Sequence, residues 1–393
     1  MPAQTATHER PSPKVNAPPF RADHVGSLLR TPELKTARET ILGPHTAEAN
    51  IGPHDNARLA AIEDEQIRDA IAMQKRVGLK LATDGELRRR SWMLELFLGW
   101  DGIGATRSGG GPIKWRSETG ASQDMTEFRV EGPIKWKPGS IVQAFRFLKA
   151  NTDLVPKVGL PSPSVVHYFL EKGGKLDPAI YKDRDAFWND LIRAFQQEII
   201  ALVDAGADYI QIDDVCFAYL CDPVHRAHVQ SRGYDPDQSV RLYTQKINEA
   251  IAVAPAHVTL TLHTCRGNRE GHWVAEGAYD AVAEALFNEM KVKAFFLEYD
   301  TERAGGFVPL RFLPPDKVAV LGLVSSKKPA LESADLLMRR LDEAAAVVPL
   351  EQLAISPQCG FASSYRGNPL SLADQEAKLG RIVEVAERVW GTA

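Results

Sequence analysis

The 393-residue sequence predicts an α/β protein, a (β/α)8 TIM barrel, on three observations. Eight short apolar segments recur along the chain, most are followed by a longer segment with helical periodicity, and polar or ionisable residues end successive apolar segments. Alternating strands and helices are typical of a parallel sheet, and eight such units are typical of a closed barrel. A doubly wound open sheet is the alternative. It would favour a glycine-rich turn after the first strand, and no G-x-G-x-x-G motif occurs there.

The predicted strands are short and mostly apolar. They lie near residues 20–25, 79–84, 155–160, 209–213, 258–262, 294–297, 318–324 and 353–356. The clearest helix is predicted at residues 55–77, where apolar residues recur three or four positions apart, and Gly78 ends it. The same spacing predicts a helix at residues 185–204, which ends at Gly206. Each of these glycines is followed by the next predicted strand.

Two segments lie outside this alternation. Residues 1–19 are rich in proline, hydroxyl and charged residues without apolar periodicity, which predicts a disordered leader before a single catalytic barrel domain at residues 20–393. Residues at about 100–140 are glycine-rich and polar and contain the sequence GPIKW twice. This pattern predicts a β-hairpin insertion after the second strand. Because the insertion follows a strand end, we expect it near the mouth of the barrel, over the site.

Composition excludes several classes of protein. Apolar residues make up 44% and charged residues 25%, as in an ordinary soluble enzyme. With 47 Lys and Arg against 51 Asp and Glu, the net charge of −4 excludes a nucleic-acid binder that relies on a strong basic field. No apolar run reaches the ~18 residues of a membrane span, and no secretory signal is evident, so we expect a cytoplasmic protein without a membrane partner. The sequence does not indicate the oligomeric state.

Residues at the carboxyl ends of the predicted strands are the site candidates, because active sites of TIM barrels lie at that face. In strand order they are Gly26 and Ser27, Glu86, Asp213 and Asp214, His263 and Cys265, Glu298, Ser325 and Lys327, and Cys359. Ionisable and metal-binding residue types recur at this one end of successive strands, and this convergence predicts an active site there.

Four of these residues predict a zinc site: His263, Cys265, Glu298 and Cys359. His263 and Cys265 are two positions apart and point to the same side of an extended strand end, and the other two follow at later strand ends. Imidazole, thiolate and carboxylate are zinc ligands, and two thiolates favour Zn²⁺ over Mg²⁺ or Ca²⁺. Considered singly, Cys359 could be a small buried residue and Glu298 a solvated charge.

Three further residues of metal-binding type lack this pattern. Cys216 and Cys221 follow the fourth strand without a histidine beside them, so we interpret them as buried thiols. His24 precedes the first strand end, where it either lines the mouth of the barrel or serves as a structural histidine.

Five stretches carry a resemblance to a known family. They are FRADHVGSLLR at residues 20–30, TDGE at 83–86, QIDD at 211–214, HTC at 263–265 and SPQCGF at 356–361. In order and position they resemble the cobalamin-independent methionine synthase family, in particular short homologues that contain only the C-terminal catalytic barrel. The resemblance implies a (β/α)8 barrel and methyl transfer from 5-methyltetrahydrofolate to the sulfur of homocysteine on Zn²⁺, a reaction of methionine biosynthesis.

The resemblance also implies roles for individual residues. The zinc ligands would be the four residues above, with Glu298 as the ligand that gives way to substrate. Gly26 and Ser27 would bind the homocysteine carboxylate, and its ammonium would lie between Glu86 and Asp213, with Asp214 adjacent. Donors at one end and carboxylates at the other are what a zwitterionic amino acid requires.

The donor half of the site departs from the family pattern. Full-length members carry a histidine after the seventh strand that protonates the leaving folate, and here Ser325 stands where it is expected. A serine has no useful acidity near pH 7, and Lys327 could act as an acid only if burial or nearby zinc charge lowered its pKa. The tryptophan that stacks on the pterin is missing from residues 159–164.

The sequence therefore predicts a zinc-dependent methyltransferase that acts on the thiol of homocysteine or a similar thiol, with 5-methyltetrahydrofolate as donor. The alternative is a zinc enzyme similar to epoxyalkane:coenzyme M transferase, whose sulfonate acceptor would favour cations over Glu86 and Asp213. A zinc hydrolase would favour histidine and carboxylate ligands over two thiolates. A purely structural zinc would leave the gathered carboxylates unexplained.

Overall fold

The computed structural model describes residues 17–43, 54–107, 113–117, 126–170 and 174–393. Almost all of the predicted leader, residues 1–19, lies outside these ranges. So do two parts of the insertion around residue 115.

Six parallel strands form the centre of the molecule, each hydrogen-bonded to the next along the chain. They are β5 (Val158–Pro161), β6 (Tyr209–Asp214), β7 (Thr259–Thr264), β8 (Ala294–Glu298), β9 (Val318–Val324) and β10 (Leu353–Pro357). Every residue of these strands is buried except those at the starts of β7 and β9, which explains why the strands are rich in apolar residues. This sheet confirms the α/β class and the TIM-barrel type.

The first three units pair through shorter segments. β1 (Leu81–Ala82) pairs in parallel with β4 (Val155–Pro156), which directly precedes β5. The predicted first strand is reduced to a parallel bridge between Ala22 and Ile355 of β10. Hydrogen bonds thus connect neighbouring strands in barrel order, from β1 through β10 to the bridge at residue 22. Among the described residues no backbone ladder joins residue 22 to β1, so closure of the barrel is not detected.

Side chains take the place of the missing ladder. Thr83 Oγ1 donates to the carbonyl oxygen of Gly26 at 2.7 Å. Inside the barrel, Asp23 accepts from Lys157 Nζ at 2.9 Å and from the Tyr209 hydroxyl at 2.7 Å. The strands predicted at residues 20–25 and 79–84 are thus shorter than expected, and side-chain hydrogen bonds connect this part of the fold.

Helices cover the outside of the strands. They are α1 (Pro32–Leu42), α2 (Ala57–Arg76), α3 (Leu94–Phe97), α4 (Ser140–Asn151), α5 (Pro163–Tyr168), α6 (Arg184–Asp204), α7 (Cys216–Tyr219), α8 (Pro223–Ser231), α9 (Pro236–Ile251), α10 (Ala283–Glu289), α11 (Ala334–Ala345) and α12 (Leu372–Trp390). The two helices predicted from periodicity are α2 and α6. Among the described helices, none combines the length and apolar character needed to cross a membrane.

The unit after β8 departs from the alternation. Its described residues form two short 3-10 segments, Glu302–Ala304 and Val308–Phe312, and no α-helix. Gly305 and Gly306 separate them and Pro309 lies in the second, and these residue types disfavour a continuous helix.

The insertion is an antiparallel hairpin, as predicted. Strands β2 (Asp101–Arg107) and β3 (Thr126–Lys135) pair with each other and not with the barrel. Beyond β2, Arg116 exchanges two backbone hydrogen bonds of 2.7 and 3.0 Å with Trp273, in the loop after β7. This pairing fixes Trp115 over the carboxyl ends of the strands.

Candidate active site

The carboxyl ends of the strands surround one cavity, which together with the open solvent at its mouth leaves about 610 Å³ unoccupied by protein atoms. Seven of the predicted site residues line it: Ser27, Glu86, Asp213, Asp214, His263, Cys265 and Cys359. Of the other four, Gly26 is adjacent to Ser27, whereas Glu298, Ser325 and Lys327 lie outside the lining. The strand-end rule therefore located most of the site.

The centre of the cavity is a cluster of His263, Cys265 and Cys359. One ligand atom from each residue lies within 4.8 Å of the others, and the two sulfur atoms are 3.7 Å apart. All four cysteines of the chain are free thiols, and both ring nitrogens of His263 are buried without a hydrogen-bond partner among the described residues. Buried imidazole nitrogens rarely remain unsatisfied, so the geometry and chemistry of these three side chains fit a bound metal ion.

The cluster already favours one thiolate. Hydrogen bonding from Cys265 outweighs burial and, together with His263, lowers the pKa of Cys359 well below that of an ordinary thiol. The same Cys359 raises the pKa of Cys265. A negative sulfur beside a neutral one is the arrangement expected of two adjacent buried thiols that share one proton.

Glu298, the fourth predicted ligand, is not part of this set. Its side chain is fully buried, and Oε2 accepts from the backbone N–H of Arg266 at 2.5 Å. Oε1 lies 3.7 Å from Lys327 Nζ and 3.9 Å from Arg303 Nη2. The carboxylate is thus adjacent to the cluster but surrounded by cations of the chain.

Glu86 and Asp213 form a pair of buried carboxyl groups. Burial raises the pKa of Glu86 to about 7, with Arg89 opposing and Asp213 adding to the shift. Burial likewise raises the pKa of Asp213 to about 6. A Cβ atom at Gly159 would lie 2.8 Å from Asp213 Oδ2 and 3.5 Å from Glu86 Oε1. Both carboxyl groups therefore approach β5 at the same glycine, where no side chain fills the space.

Local hydrogen bonds explain how the TDGE segment places Glu86. The Gly85 N–H donates to Thr83 Oγ1 at 3.2 Å, and the Glu86 N–H donates to Asp84 Oδ1 at 3.0 Å. Glu86 adopts a left-handed backbone with φ 55°, a conformation that costs free energy for a residue with a side chain. The turn directs its carboxyl group into the cavity, where Oε2 has no hydrogen-bond partner among the residues that the structure describes.

Gly26 and Ser27 are held against the loop that carries Cys359. Gly26 has φ +135°, which disfavours any side chain there. A Cβ atom at Gly360 would overlap Ser27 Oγ and lie 3.2 Å from the Ser27 amide nitrogen. Because Gly360 leaves this space, the Ser27 hydroxyl lies in the cavity beside Cys359.

Asp214 lines the cavity but its carboxylate is already engaged. Oδ2 accepts from the hydroxyl groups of Ser162 and Ser164, and Oδ1 accepts from the Phe217 N–H at 3.0 Å. Asp214 therefore ties the loop after β5 to helix α7 and leaves less capacity for substrate than Asp213 has.

Ser325 and Lys327, the predicted candidates for proton transfer, lie behind the cavity wall. The Ser325 N–H donates to Glu332 Oε1 at 2.9 Å, and Ser325 Oγ accepts from the Lys327 N–H at 3.3 Å. Lys327 is buried, and its Nζ has no hydrogen-bond partner among the described residues. The structure brings this lysine toward Glu298 and not into the cavity lining.

The remaining metal-type residues are structural. His24 Nε2 lies 2.9 Å from Gln74 Oε1, and burial lowers its pKa to about 4, so it is a neutral core histidine. Cys216 and Cys221 are buried, and the Cys221 thiol donates to the Phe217 carbonyl at 3.4 Å. These positions confirm their interpretation as buried thiols.

Sequence reasoning missed the apolar wall of the cavity. Trp92, Met93, Trp115, Phe169 and Tyr219 all line it. The rings of Phe169 and Tyr219 meet nearly perpendicular, with centroids 6.2 Å apart. No tryptophan follows the third strand, but two reach the cavity from other loops. The repeated GPIKW motif, whose first copy ends in Trp115, was the signal that could have indicated one of them.

Fold and site together define a TIM-barrel protein with a buried imidazole–dithiol cluster beside a pair of carboxyl groups. Residues 176–388 match the family described as the catalytic domain of cobalamin-independent synthase. YxjG of Bacillus subtilis, an uncharacterized protein, is 38% identical over 394 residues, covering 99% of this chain and 100% of YxjG. The methionine synthase of Pyrococcus horikoshii is 25% identical over 310 residues, 76% of each protein.

Solved structures agree in fold. A candidate vitamin-B12-independent methionine synthase from Listeria monocytogenes superposes with a TM-score of 0.72 at 34% identity, covering 95% of this chain and 98% of that protein. A B12-independent methionine synthase from Shewanella has a TM-score of 0.68 at 18% identity, with 94% and 98% covered. The chain belongs to the cobalamin-independent methionine synthase family. Membership supports methyl transfer of the methionine synthase kind as its activity.

Proposed function

We propose that this protein is a zinc-dependent methyltransferase that methylates the thiol of homocysteine or a similar amino-acid thiol. The supporting observation is that the His263, Cys265 and Cys359 cluster shares one buried cavity with Glu86 and Asp213. The cluster suits a metal that binds a thiol, and the carboxyl pair suits an ammonium group. A substrate that carries both groups would join the two halves of the cavity.

His263, Cys265 and Cys359 would hold the zinc ion. Three protein ligands leave a coordination position for substrate, as in other catalytic zinc sites. Bound there, zinc would make a substrate thiol available as thiolate at neutral pH, which a free thiol of pKa near 8.5 is not. The chain's own part is to present two sulfur donors and one imidazole whose ring nitrogens have no hydrogen-bond partner among the described residues.

Glu86, Asp213 and Ser27 would orient the amino acid. An ammonium group between the two carboxyl groups would favour their ionised forms and supply the partner that Glu86 Oε2 lacks. Ser27 Oγ would donate to the substrate carboxylate from the opposite wall. Among the described residues of the cavity lining there is no lysine or arginine, so a sulfonate acceptor such as coenzyme M is disfavoured.

For the donor we propose a methyl-folate, as the family resemblance implies. The rings of Trp92, Trp115 and Phe169 offer flat apolar surface to a pterin. In the transfer, a sulfur lone pair forms the S–CH₃ bond while the N–CH₃ bond pair remains on the folate nitrogen, which then takes a proton. That Ser325 or Lys327 delivers this proton stays a prediction, because neither lines the cavity.

A donor panel tests the function. Zinc-loaded protein is incubated with homocysteine and, separately, 5-methyltetrahydrofolate in monoglutamate and triglutamate form and other methyl donors, and methionine is measured by mass spectrometry. We expect methionine from a methyl-folate with the wild type and none with Cys359→Ala. Methionine formed only from another donor would contradict the folate assignment. No methylated thiol from any donor, with zinc retained, would contradict methyl transfer itself.

A further inference from the structure

We propose that the cavity accepts a second class of methyl donor, a methylsulfonium compound, whose leaving group needs no proton. The acceptor is the amino-acid thiol of the proposed function, on which this inference rests. The donor class and the rings that would recognise it go beyond that function. The observations that support the proposal are the charge of the described cavity lining, its aromatic rings and its lack of an uncommitted acid.

The charge of the lining favours a cationic donor. Among the described residues, the lining contains the carboxyl groups of Glu86, Asp213 and Asp214 and no lysine or arginine. Two cysteine thiolates would balance the charge of a bound zinc ion, so the metal does not reverse this preference. A cleft lined by one sign of charge concentrates ligands of the opposite sign. A sulfonium brings a fixed positive charge, whereas the glutamate tail of a folate brings negative charge.

Aromatic rings of the lining offer the contact by which proteins recognise such cations. Trp92 and Phe169 line the cavity, and no arginine or lysine of the described residues stacks on either ring. Arg269 lies 6.0 Å from the centroid of the Trp115 ring, so that ring already has a cation near it. Cation–π contact holds methylated onium groups in aromatic sites. Trp92 and Phe169 are therefore the rings best suited to a methylsulfonium.

Backbone contacts hold these rings near the metal-binding cluster. The Trp92 N–H donates to the Ser363 carbonyl at 2.9 Å, in the loop that carries Cys359. Ser363 Oγ lies 3.8 Å from Cys359 Sγ. Phe169 is fixed as well, since its carbonyl accepts from the Phe128 N–H of the hairpin at 2.7 Å. The Trp92 ring is thus tied to the segment that supplies one sulfur of the cluster, where an acceptor thiol would bind.

The lining holds no uncommitted acid to protonate the nitrogen leaving group of a folate. Glu86 and Asp213 are assigned to the acceptor ammonium, and the Asp214 carboxyl group accepts from Ser162 and Ser164. The cluster residues are assigned to the metal. The other polar side chains of the described lining are hydroxyl, amide and indole groups, which have no useful acidity near pH 7. A sulfonium removes this requirement, because it departs as a neutral thioether.

The transfer balances without an external acid. A lone pair of the acceptor thiolate forms the new S–CH₃ bond while the S–CH₃ bond of the sulfonium breaks, and its electron pair stays on the departing sulfur. Both products are neutral thioethers, and the one proton released is that of the acceptor thiol. A quaternary ammonium would bind to the same rings, but an amine is a much poorer leaving group. We therefore assign sulfonium compounds as donors and ammonium compounds as inhibitors.

Trimethylsulfonium is the simplest probe of this activity. Zinc-loaded wild type, Trp92→Phe, Trp92→Leu and Cys359→Ala are incubated with it and with homocysteine deuterated on its carbon chain. Heavy methionine is measured by mass spectrometry and dimethyl sulfide by gas chromatography. We expect equal amounts of the two products from the wild type, well above the background with Cys359→Ala. In Trp92→Leu, kcat/KM for trimethylsulfonium should fall about tenfold through KM, and Trp92→Phe should retain most of it.

Two comparisons separate recognition of charge from a structural effect. Trp136→Leu is the matched control, because Trp136 ends the second GPIKW copy, is half-buried like Trp92 and lies outside the cavity lining. It should leave the sulfonium reaction unchanged. Choline should inhibit that reaction in competition with trimethylsulfonium, whereas its uncharged isostere 3,3-dimethyl-1-butanol should not. S-Methylmethionine and S-adenosylmethionine are run in parallel, and the one that yields heavy methionine identifies the size of sulfonium that the cavity takes.

The failure of this inference is distinguishable from that of the proposed function. Heavy methionine from a methyl-folate, but from none of the three sulfonium compounds, would overturn the inference alone. So would a Trp92→Leu variant as active toward trimethylsulfonium as the wild type, or equal inhibition by choline and its isostere. The absence of methylated thiol from any donor, with zinc retained, would overturn both.

Binding to the metal-free protein gives a readout that does not depend on activity. Choline is titrated while tryptophan fluorescence is followed, and the uncharged isostere is titrated in the same way. We expect a saturable change with choline and none with the isostere. No change with choline, or the same change with both compounds, would contradict a cation site on these rings.

Discussion

Two neighbouring groups of strand-end residues differ in how their polar atoms are satisfied. At the ends of β7 and β10, His263, Cys265 and Cys359 face one another, and in the part of the chain that the structure describes neither imidazole nitrogen has a hydrogen-bond partner. At the ends of β8 and β9, Glu298 and Lys327 carry opposite charges and lie 3.7 Å apart. Glu298 Oε2 accepts from the Arg266 N–H, whereas Glu298 Oε1 and Lys327 Nζ have no hydrogen-bond partner among the described residues. Both groups therefore keep unsatisfied atoms, but the first brings three metal-binding atoms within 4.8 Å of one another, and Glu298 as a fourth ligand stays a prediction.

The largest expected effect is on metal content. Cys359→Ala and Cys265→Ser each remove one sulfur from a cluster whose members lie within 4.8 Å. We expect zinc, measured by elemental analysis of purified protein, to fall from about one per chain to less than about a tenth of that. Cys216→Ser is the matched control, because Cys216 is buried outside the cluster, and it should retain its zinc. Full zinc in both cluster variants would contradict the ligand assignment.

The next effect separates the carboxyl pair from the cluster. Glu86→Gln leaves a substrate ammonium short of a partner, so kcat/KM for homocysteine should fall roughly thirty- to a thousandfold, about 2–4 kcal/mol. A thiol of similar length without an amino group should lose much less. Asp213→Asn should behave in the same way. Equal losses for both thiols, with zinc retained, would show that these carboxyl groups do not recognise the ammonium.

The pH dependence of unfolding of the metal-free protein should reveal the raised pKa of Glu86, one member of the carboxyl pair. Because the folded-state pKa of Glu86 is raised to about 7, the folded chain binds this proton more tightly than the unfolded chain does. The contribution of Glu86 to stability is therefore present at pH 4.5 and is lost as the pH rises through 7. Denaturant unfolding should find Glu86→Gln more stable than the wild type by about 3 kcal/mol at pH 8, and nearly equal at pH 4.5. Parallel pH profiles would count against a buried, protonated Glu86.

The smallest effect concerns the space between the carboxyl groups. In Gly159→Ala the new methyl group would lie 2.8 Å from Asp213 Oδ2 and push that carboxyl group aside. We expect kcat/KM for homocysteine to fall about tenfold, with zinc content unchanged, equivalent to about 1.4 kcal/mol. Gly306→Ala is the control, since a Cβ atom there meets nothing within 4 Å. An unaffected Gly159→Ala would mean that Asp213 need not keep its position.

The sequence predicted the strand-end residues better than their environments. The apolar runs and the helical periodicity predicted eight strand–helix units. The metal-binding residue types that follow the predicted strands then identified His263, Cys265 and Cys359 as candidates. The contacts of Glu298 with Arg266, Arg303 and Lys327 could not be predicted, because these residues meet it only in the folded chain.

The sequence analysis also missed the apolar residues that line the cavity and the two glycines that leave space beside the carboxyl groups and Ser27, for a related reason. Trp92 and Trp115 lie well beyond their strand ends and reach the cavity only through loop packing. Gly159 and Gly360 matter for what their missing side chains would touch on other loops. Neither property leaves a local pattern in the sequence.

X-ray absorption at the zinc edge tests the central claim most directly, that the cluster holds zinc with a position open to an amino-acid thiol. In the zinc-loaded protein alone, the ion should have two sulfur neighbours, from Cys265 and Cys359. Saturating homocysteine should add a third sulfur. Two sulfur neighbours that remain unchanged at saturating homocysteine would contradict the account.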